Sequence, residues 1–435
     1  MKTKQIFRKQ LSLEPGYLET LLDLSNPWCI LSKKINWQRI EEKLTPLYSS
    51  IGRPSKPIRL MCSLLIIKQI ENISDEQLVK AWKQNPYYQY FSGMEYFTWD
   101  FPCDPTSLIY FRKRIGESGV EEIFQESVNV NGVDALEDEL IADTTVQEKN
   151  ITYPTDSKLH LKIIRECVKI ASTEGIKLRQ SYSRTVIKLK RATRFGKGKK
   201  QASIKRKALK RIKTIAGKLV REILSKLTNH EKYAVKLELY QYVLAQTVNS
   251  KNKIYSLHEP NVQCLAKGKA HKPYEFGNKV AFATTKTTNV IVAVKSFDTN
   301  IYDGDTIPPL LDVAKKTIKK FPKNLFFDRG GRGRKKYQET NIIIPDNGTK
   351  KQSKYERQKM KKAFRRRAAI EPIIGHLKHD YGLNRNYLKG KIGNAINAIM
   401  AATAYNFKRV MNSFYHFLTL ILRCFIPYNR ILSSI

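Results

Sequence analysis

The sequence predicts a mixed α/β core preceded by an all-helical N-terminal region and interrupted by a basic helical insertion. Three observations carry that prediction. Apolar side chains recur at helical intervals up to about residue 120, short β-rich apolar runs begin near Asp138, and a long acid-free basic stretch divides those runs. The size permits it. A chain of 435 residues, 41% hydrophobic with 4 Trp, 22 Tyr and 18 Phe, can fill two or three domain cores.

In the N-terminal region "KPIRLMCSLLIIKQIEN" reads as a helix. "ISDEQLVKAW" then offers Ser74 as N-cap with Gln77 three residues on, a capping box, and Asn85-Pro86 ends that second helix. Joined by the tight Asn72-Ile73-Ser74 turn, the pair has a helix-turn-helix-like layout, with Lys80, Lys83 and the aromatics of "YYQYF" nearby. Such a layout suits DNA binding and ordinary packing alike. "CDPTSLIYFRKRIGE" predicts another helix, capped by Asp104, with Pro105 in its first turn and Leu108, Phe111 and Ile115 on one face.

The period then changes. "DELIADTTVQ" reads as a buried strand ending at Asp143, which would deliver a carboxylate to its C-terminal edge. "NKVAFATTKTTNVIVAVKSFD" has the pattern of a hairpin turning at "TKTTN". "TIPPLLDVAKKTIKKF" is an amphipathic helix, "KNLFFD" a strand ending at Asp328, and "TNIIIPDNG" a further strand. The predicted order is strand, hairpin, helix, strand, helix and strand, closed by a helix around Glu371. Expected domains are a helical N-terminal DNA-binding domain over 1–130, a catalytic core over 131–157 and 251–410, a basic helical insertion over 158–250, and a helical tail over 411–435.

Charge points to the partner class. With 79 Lys and Arg against 39 Asp and Glu the chain carries +40 formally and has a pI near 9.9, which favours a polyanion. From Gly175 to Arg221 there are 18 Lys or Arg in 47 residues and no acid, with "RFGKGKKQ" as a break between two helices. A solvated face would mix signs, so Lys205, Arg206, Lys207, Lys210 and Arg211 are candidate DNA contacts. The six cysteines contain no CxxC pair, which argues against a zinc site or a disulfide framework and suits a reducing cytoplasm. "MKTKQIFRKQL" lacks a signal-peptide core, and the apolar run "YHFLTLILRCFI" is far shorter than the roughly 20 residues of a membrane span.

Asp143, Asp328 and Glu371 stand out by context. Two would end apolar strands, and the third lies in the basic segment "RRRAAIEPIIGHLKHD". Phosphodiester chemistry is served by two Mg²⁺ about 3.5 to 4 Å apart, and hard cations take carboxylate oxygens. Three acids sharing such ions would converge to within about 4 to 8 Å of one another. Each has a bland alternative: a strand-end Asp can cap the next helix, and Glu371 can pair with Arg367 one turn away. Asp346, after "NIIIP", rivals Asp328. His376 and His379 accompany no Ser or Cys motif, and "DRGGRGRK" lacks the spacing of a Walker loop, although its glycines and Arg329, Arg332 and Arg334 suit close approach to phosphate.

The blocks "ADTTVQEKNITYPTD", "SLHEPNVQCLAKGKAHKPYEFGNKV", "YDGDT", "FFDRGGRGRK" and "RRRAAIEPIIGHLKHDYGLNRNYLKG" together resemble bacterial insertion-sequence transposases of the DDE class. The resemblance runs from about Arg53 to Phe407 and implies a ribonuclease-H-like core. It also implies a Mg²⁺-dependent enzyme, with Mn²⁺ substituting, that cuts and joins DNA with Asp143, Asp328 and Glu371 as metal ligands. Its partners would be duplex DNA at element ends and at the target, bound by a homodimer at the nucleoid. The family's signature of Tyr, Arg, Glu and Lys falls on Phe364, Arg367, Glu371 and Lys378, so phenylalanine replaces the tyrosine. Gly331 stands where an aromatic is usual, and Asp305 where histidine is frequent. On one α-helix Arg367, Glu371 and Lys378 would lie within about 40° of one azimuth and span about 16 Å, roughly five base-pair steps. Arg365 and Arg366 would add phosphate contacts, and Pro372 would kink the helix or mark its first turn. A decayed element acting as a DNA-binding repressor, and a nuclease of the same fold without strand transfer, fit the same residues.

Overall fold

The computed structural model describes residues 16–49, 51, 54–193, 198–247, 249–266, 272–345 and 353–425. Two compact units divide the chain, Met1–Glu148 with Lys279–Ile435, and Lys149–Asn278.

The first unit opens with helices: α1 (Leu18–Leu21), α2 (Pro27–Lys34), α3 (Trp37–Leu44), α4 (Ile58–Glu71), α5 (Asp75–Gln84), α6 (Pro86–Phe91) and α7 (Pro105–Asn129). Local signals set their ends. α4 stops where Asn72 turns left-handed, at φ 51°, and the Ser74–Gln77 capping box starts α5. Asp104 caps α7 by accepting from the Thr106 N–H. Leu108, Phe111 and Ile115 are buried, and α7 then breaks at Gly116, whose φ of 59° no helical residue adopts. Inside the bundle Asp75 accepts from both Arg112 and Lys68, a largely buried set of three charges.

The sheet follows, in the order β4–β3–β1–β5–β7–β6, with β2 also on β3 and β8 on β1. The strands are β1 (Glu139–Lys149), β2 (Gln263–Ala266), β3 (Tyr274–Thr285), β4 (Ile291–Phe297), β5 (Asn324–Phe326), β6 (Lys336–Tyr337), β7 (Thr340–Ile343) and β8 (Arg385–Asn386). β3 and β4 form the antiparallel hairpin, while β1, β5 and β7 run parallel, with helix α12 (Ile307–Ile318) in the connection between β4 and β5. The architecture is mixed α+β. Two expectations are corrected. β1 does not end at Asp143: it continues to Lys149, because Thr144, Thr145 and Val146 are β-prone and the strand also pairs with β3 and β8, whereas β5 pairs only with Glu139 to Ile141. No helix separates β5 from β7; a 3-10 turn at Arg329–Gly331 and the short β6 occupy that stretch, too rich in Gly to hold a helix.

The chain then forms α13 (Lys354–Arg365), a 3-10 turn at Arg366–Ala369, α14 (Ile370–His379) and α15 (Gly390–Phe425), which continues through residue 411 without a break. α15 packs on the hairpin through a buried amide: Asn406 donates to the Ile291 carbonyl at 2.8 Å and accepts the Ile291 N–H at 3.0 Å. Both backbone groups at the start of β4 are thus satisfied.

The second unit contains α8 (Asp156–Thr173), α9 (Ser183–Ala192), α10 (Lys199–Lys226) and α11 (Ala234–Ala245), with β2 paired to the first residues of β3. It has its own core, in which Leu159, Ile163 and Cys167 of α8 meet Ile212, Ile215, Leu219 and Ile223 of α10. Lys205, Arg206, Lys207, Lys210 and Arg211 lie exposed on α10. Among the described residues no helix is long and apolar enough to cross a membrane.

Burial alone would raise the Asp75 carboxyl, but Arg112 and Lys68 outweigh it and hold it below the usual range. A carboxylate with a depressed folded value contributes stability above its ordinary pKa and loses it as pH falls through the folded value. Asp75→Asn should therefore cost about 3 kcal/mol at pH 7, since it strands two cations. Urea unfolding checks this, and the gap to the parent should close in strong acid.

Candidate active site

The site rests on a short apolar row across three parallel strands. Ile141 of β1 faces Phe326 of β5, and Phe326 faces Ile343 of β7. Ile370 of α14, Phe364 of α13 and Ile374 join them in one small cluster. Two residues past Ile141, on the same face, is Asp143; two past Phe326 is Asp328; directly after Ile370 is Glu371. One set of apolar contacts therefore fixes all three backbones.

Local hydrogen bonds hold the two aspartates. The Thr144 N–H donates to Asp143 Oδ1 at 2.7 Å, and the Gly330 N–H donates to Asp328 Oδ1 at 2.9 Å. The Arg367 guanidinium lies between them, with Nη2 3.3 Å from Asp143 Oδ2 and 3.9 Å from Asp328 Oδ2. Its Nε is buried with no acceptor among the described residues. Burial pushes the Asp143 carboxyl up to about 6; Arg367 and the Thr144 N–H pull it down, while the charges of Asp328 and Glu371 add to the rise. The three acids are thus near enough to act on one another.

As they stand they do not enclose an ion: among the described residues no group of three or more His, Cys, Asp or Glu is arranged to hold a metal. Their chemistry nevertheless fits one. All three offer hard oxygen donors, Asp143 from within a strand, Asp328 from the cap of a turn and Glu371 from the first turn of a helix, and two already share a cation, that of Arg367.

The segment around Glu371 corrects the single-helix expectation. Arg367 sits in the 3-10 turn and Glu371, which is exposed, in the first turn of α14. Pro372 has no N–H for the Ala368 carbonyl, so the backbone tightens just ahead of it. Lys378 is half-buried near the end of α14, and Arg365, Arg366, Arg329, Arg332 and Arg334 are exposed. Arg366 donates to the Thr287 carbonyl at 3.4 Å, and Arg334 pairs with Asp305 at 3.5 Å. Asp346 lies outside the described residues.

Two sequence departures have physical accounts. Phe364 meets the Phe326 ring edge-on, 5.7 Å between centroids, so the tyrosine position serves here as an apolar anchor. A Cβ on Gly331 would come within 2.5 Å of Phe327, whose ring fills the space a side chain there would need. Sequence reasoning passed over Thr144, Lys279, Asp303 and Gly330. Asp303 Oδ1 accepts from Thr144 Oγ1 at 3.0 Å and from Lys279 Nζ at 2.8 Å. The only signal was that Asp303 belongs to the block "YDGDT".

Residues 17–114 match the family described as "Transposase domain (DUF772)", and residues 245–407 match "Transposase DDE domain". The chain belongs to the DDE-class insertion-sequence transposases. In this transposase Asp328 and Glu371 fall within the second matched segment and Asp143 between the two. A curated relative from Rhizobium meliloti, "Uncharacterized protein ORF8 in nfe locus", is 41% identical over 159 residues, covering 35% of this chain and 77% of the relative. No solved structure matches the chain. The family places a ribonuclease-H-like core, a DNA-directed enzyme and divalent metal chemistry on this transposase.

Arg367→Met tests the charge balance. Without the guanidinium, Asp143 and Asp328 face each other unshielded, so the variant should lose about 1–3 kcal/mol at pH 8 in metal-free buffer. Asp143 takes up a proton below about pH 6, which removes the repulsion, so the loss should shrink there. Urea midpoints at the two pH values measure it.

Proposed function

We propose that this transposase binds the ends of its own element and performs Mg²⁺-dependent DNA strand cleavage and strand transfer, with Asp143, Asp328 and Glu371 as metal ligands. The observation that supports the proposal is the apolar row of Ile141, Phe326 and Ile370, which lies next to all three acids along the chain, with one guanidinium between Asp143 and Asp328. Bound there, two divalent ions would activate the attacking oxygen and stabilise the leaving one. The chain's own residues position the DNA. Arg365 and Arg366 are exposed beside the site, the arginines of "DRGGRGR" stand next to Asp328, and Lys378 follows Glu371 on α14. Each is placed to hold a phosphate rather than to react. The N-terminal helices read the element end in this proposal, and two copies act together.

The second unit supplies non-specific grip. Lys158, Lys190, Lys205, Arg206, Lys210 and Lys213 line a cleft of about 780 Å³ in it. Each phosphate neutralised releases counterion and steepens the log–log salt slope by about 0.9. Replacing Lys205, Arg206, Lys207, Lys210 and Arg211 together by Gln should flatten the slope of duplex binding; an unchanged slope would remove the insertion from DNA contact.

Purified protein, a duplex carrying the element ends, and a plasmid target decide the chemistry. Cleaved ends and plasmid-joined products should form with Mg²⁺ or Mn²⁺ and disappear with chelator. Asp143→Asn, Asp328→Asn and Glu371→Gln should each abolish cleavage while end binding persists, and Asp346→Asn should stay active. Cleavage by Asp328→Asn with a dead Asp346→Asn would reassign the second ligand. Cleavage by all four variants would end the proposal, and cleavage without joining would leave a nuclease.

A further inference from the structure

We infer that Asp303, held by Lys279, is a positioning residue of the active site, setting the separation between the arms that carry Asp143 and Asp328. The inference rests on the metal-site reading proposed above.

Asp303 begins the 3-10 turn that leads into α12, and its carboxylate bonds to the β1 arm and lies beside the β5 arm. On one side Oδ1 accepts from Thr144 Oγ1, and the backbone N–H of that same threonine holds Asp143. On the other side Oδ2 faces Gly330, whose N–H holds Asp328. A methyl group at Gly330 would stand 2.9 Å from Asp303 Oδ2 and 2.9 Å from Asp328 Oδ1. Both contacts are closer than a Cβ keeps, so a side chain at Gly330 would push one or both carboxylates aside. Asp303 therefore spans from the β1 arm to the β5 arm.

Lys279 makes that span stable. Its side chain is 11% exposed, and its ammonium donates to Asp303 Oδ1 at 2.8 Å and to the Ile301 carbonyl at 2.6 Å. The ammonium offsets the charge of a fourth acid next to Asp328 and ties the loop before α12 to β3. With one oxygen occupied by Thr144 and Lys279, Asp303 acts through the residues it fixes, as partners behind metal ligands do.

The test uses the full-length protein and Mn²⁺ as probe, followed by electron paramagnetic resonance, beside cleavage kinetics on end duplex. Asp303→Ala should raise the half-saturating Mn²⁺ concentration about 10- to 100-fold and lower kcat, with KM for DNA unchanged. Asp303→Asn keeps an acceptor for Thr144 and should recover most of the loss. Thr144→Val removes one hydroxyl and should shift the Mn²⁺ midpoint in the same direction, which keeps the test open should Asp303→Ala fail to fold. An unmoved midpoint in Thr144→Val and in a folded Asp303→Ala overturns the inference. Asp303→Asn as poor as Asp303→Ala also overturns it, by making the charge itself the requirement. Wild-type protein that never saturates with Mn²⁺ sinks the metal-site reading underneath, a result distinct from either.

Discussion

Bringing carboxylates together in a half-buried site is unfavourable, and the fold sets the Arg367 guanidinium against that cost. Asp143 shows the tension directly, since burial and two neighbouring acids raise it while Arg367 and a backbone N–H pull it down. The guanidinium offers two acids one nitrogen at 3.3 and 3.9 Å, and leaves its own Nε buried without an acceptor among the described residues. A buried donor left unsatisfied costs about 1–3 kcal/mol. Such an arrangement is not optimised for its own stability.

The backbone beneath is under no such tension. Ile141, Phe326 and Ile343 sit in register, and Ile370 and Phe364 cover them, so the charged groups inherit their spacing from apolar packing. Because β5 contributes only three residues, Asp328 leaves the ladder at once and is free to cap the Arg329–Gly331 turn. Because β1 is much longer, running on to Lys149, Asp143 stays inside a strand. One aspartate is fixed by a strand, the other by a turn.

Local signals were legible in the sequence and distant ones were not. Ser74 and Gln77 announce their helix because a capping box needs four residues and nothing else. The runs before Asp143 and Asp328 are visible for a similar reason: a strand buried on both faces has to be apolar throughout. The end of β1 is not legible because it depends on partner strands distant in the chain, β3 and β8. The helix expected between β5 and β7 failed because a mixed-sheet order does not state what fills a connection. Asp303 escaped notice because its neighbours, Thr144, Lys279 and Gly330, come from three separate elements. Only the resemblance of whole blocks favoured Asp328 over Asp346.

The proline after Glu371 bears on the one bland reading that the sequence left open. On an unbroken α-helix Arg367 and Glu371 would be one turn apart, within about 40° of each other, and would pair. That pair would consume the glutamate's charge and leave two aspartates unshielded. The 3-10 turn advances about 120° per residue instead of 100°, so three such steps widen the separation to about 100°. Arg367 accordingly finds its ion partners in Asp143 and Asp328, and no ion pair with Glu371 forms among the described residues. Pro372 enforces the turn by withholding the N–H that an α-helical Ala368 carbonyl would use. One missing hydrogen-bond donor therefore separates the acid from the base that precedes it and leaves Arg367 to the two aspartates.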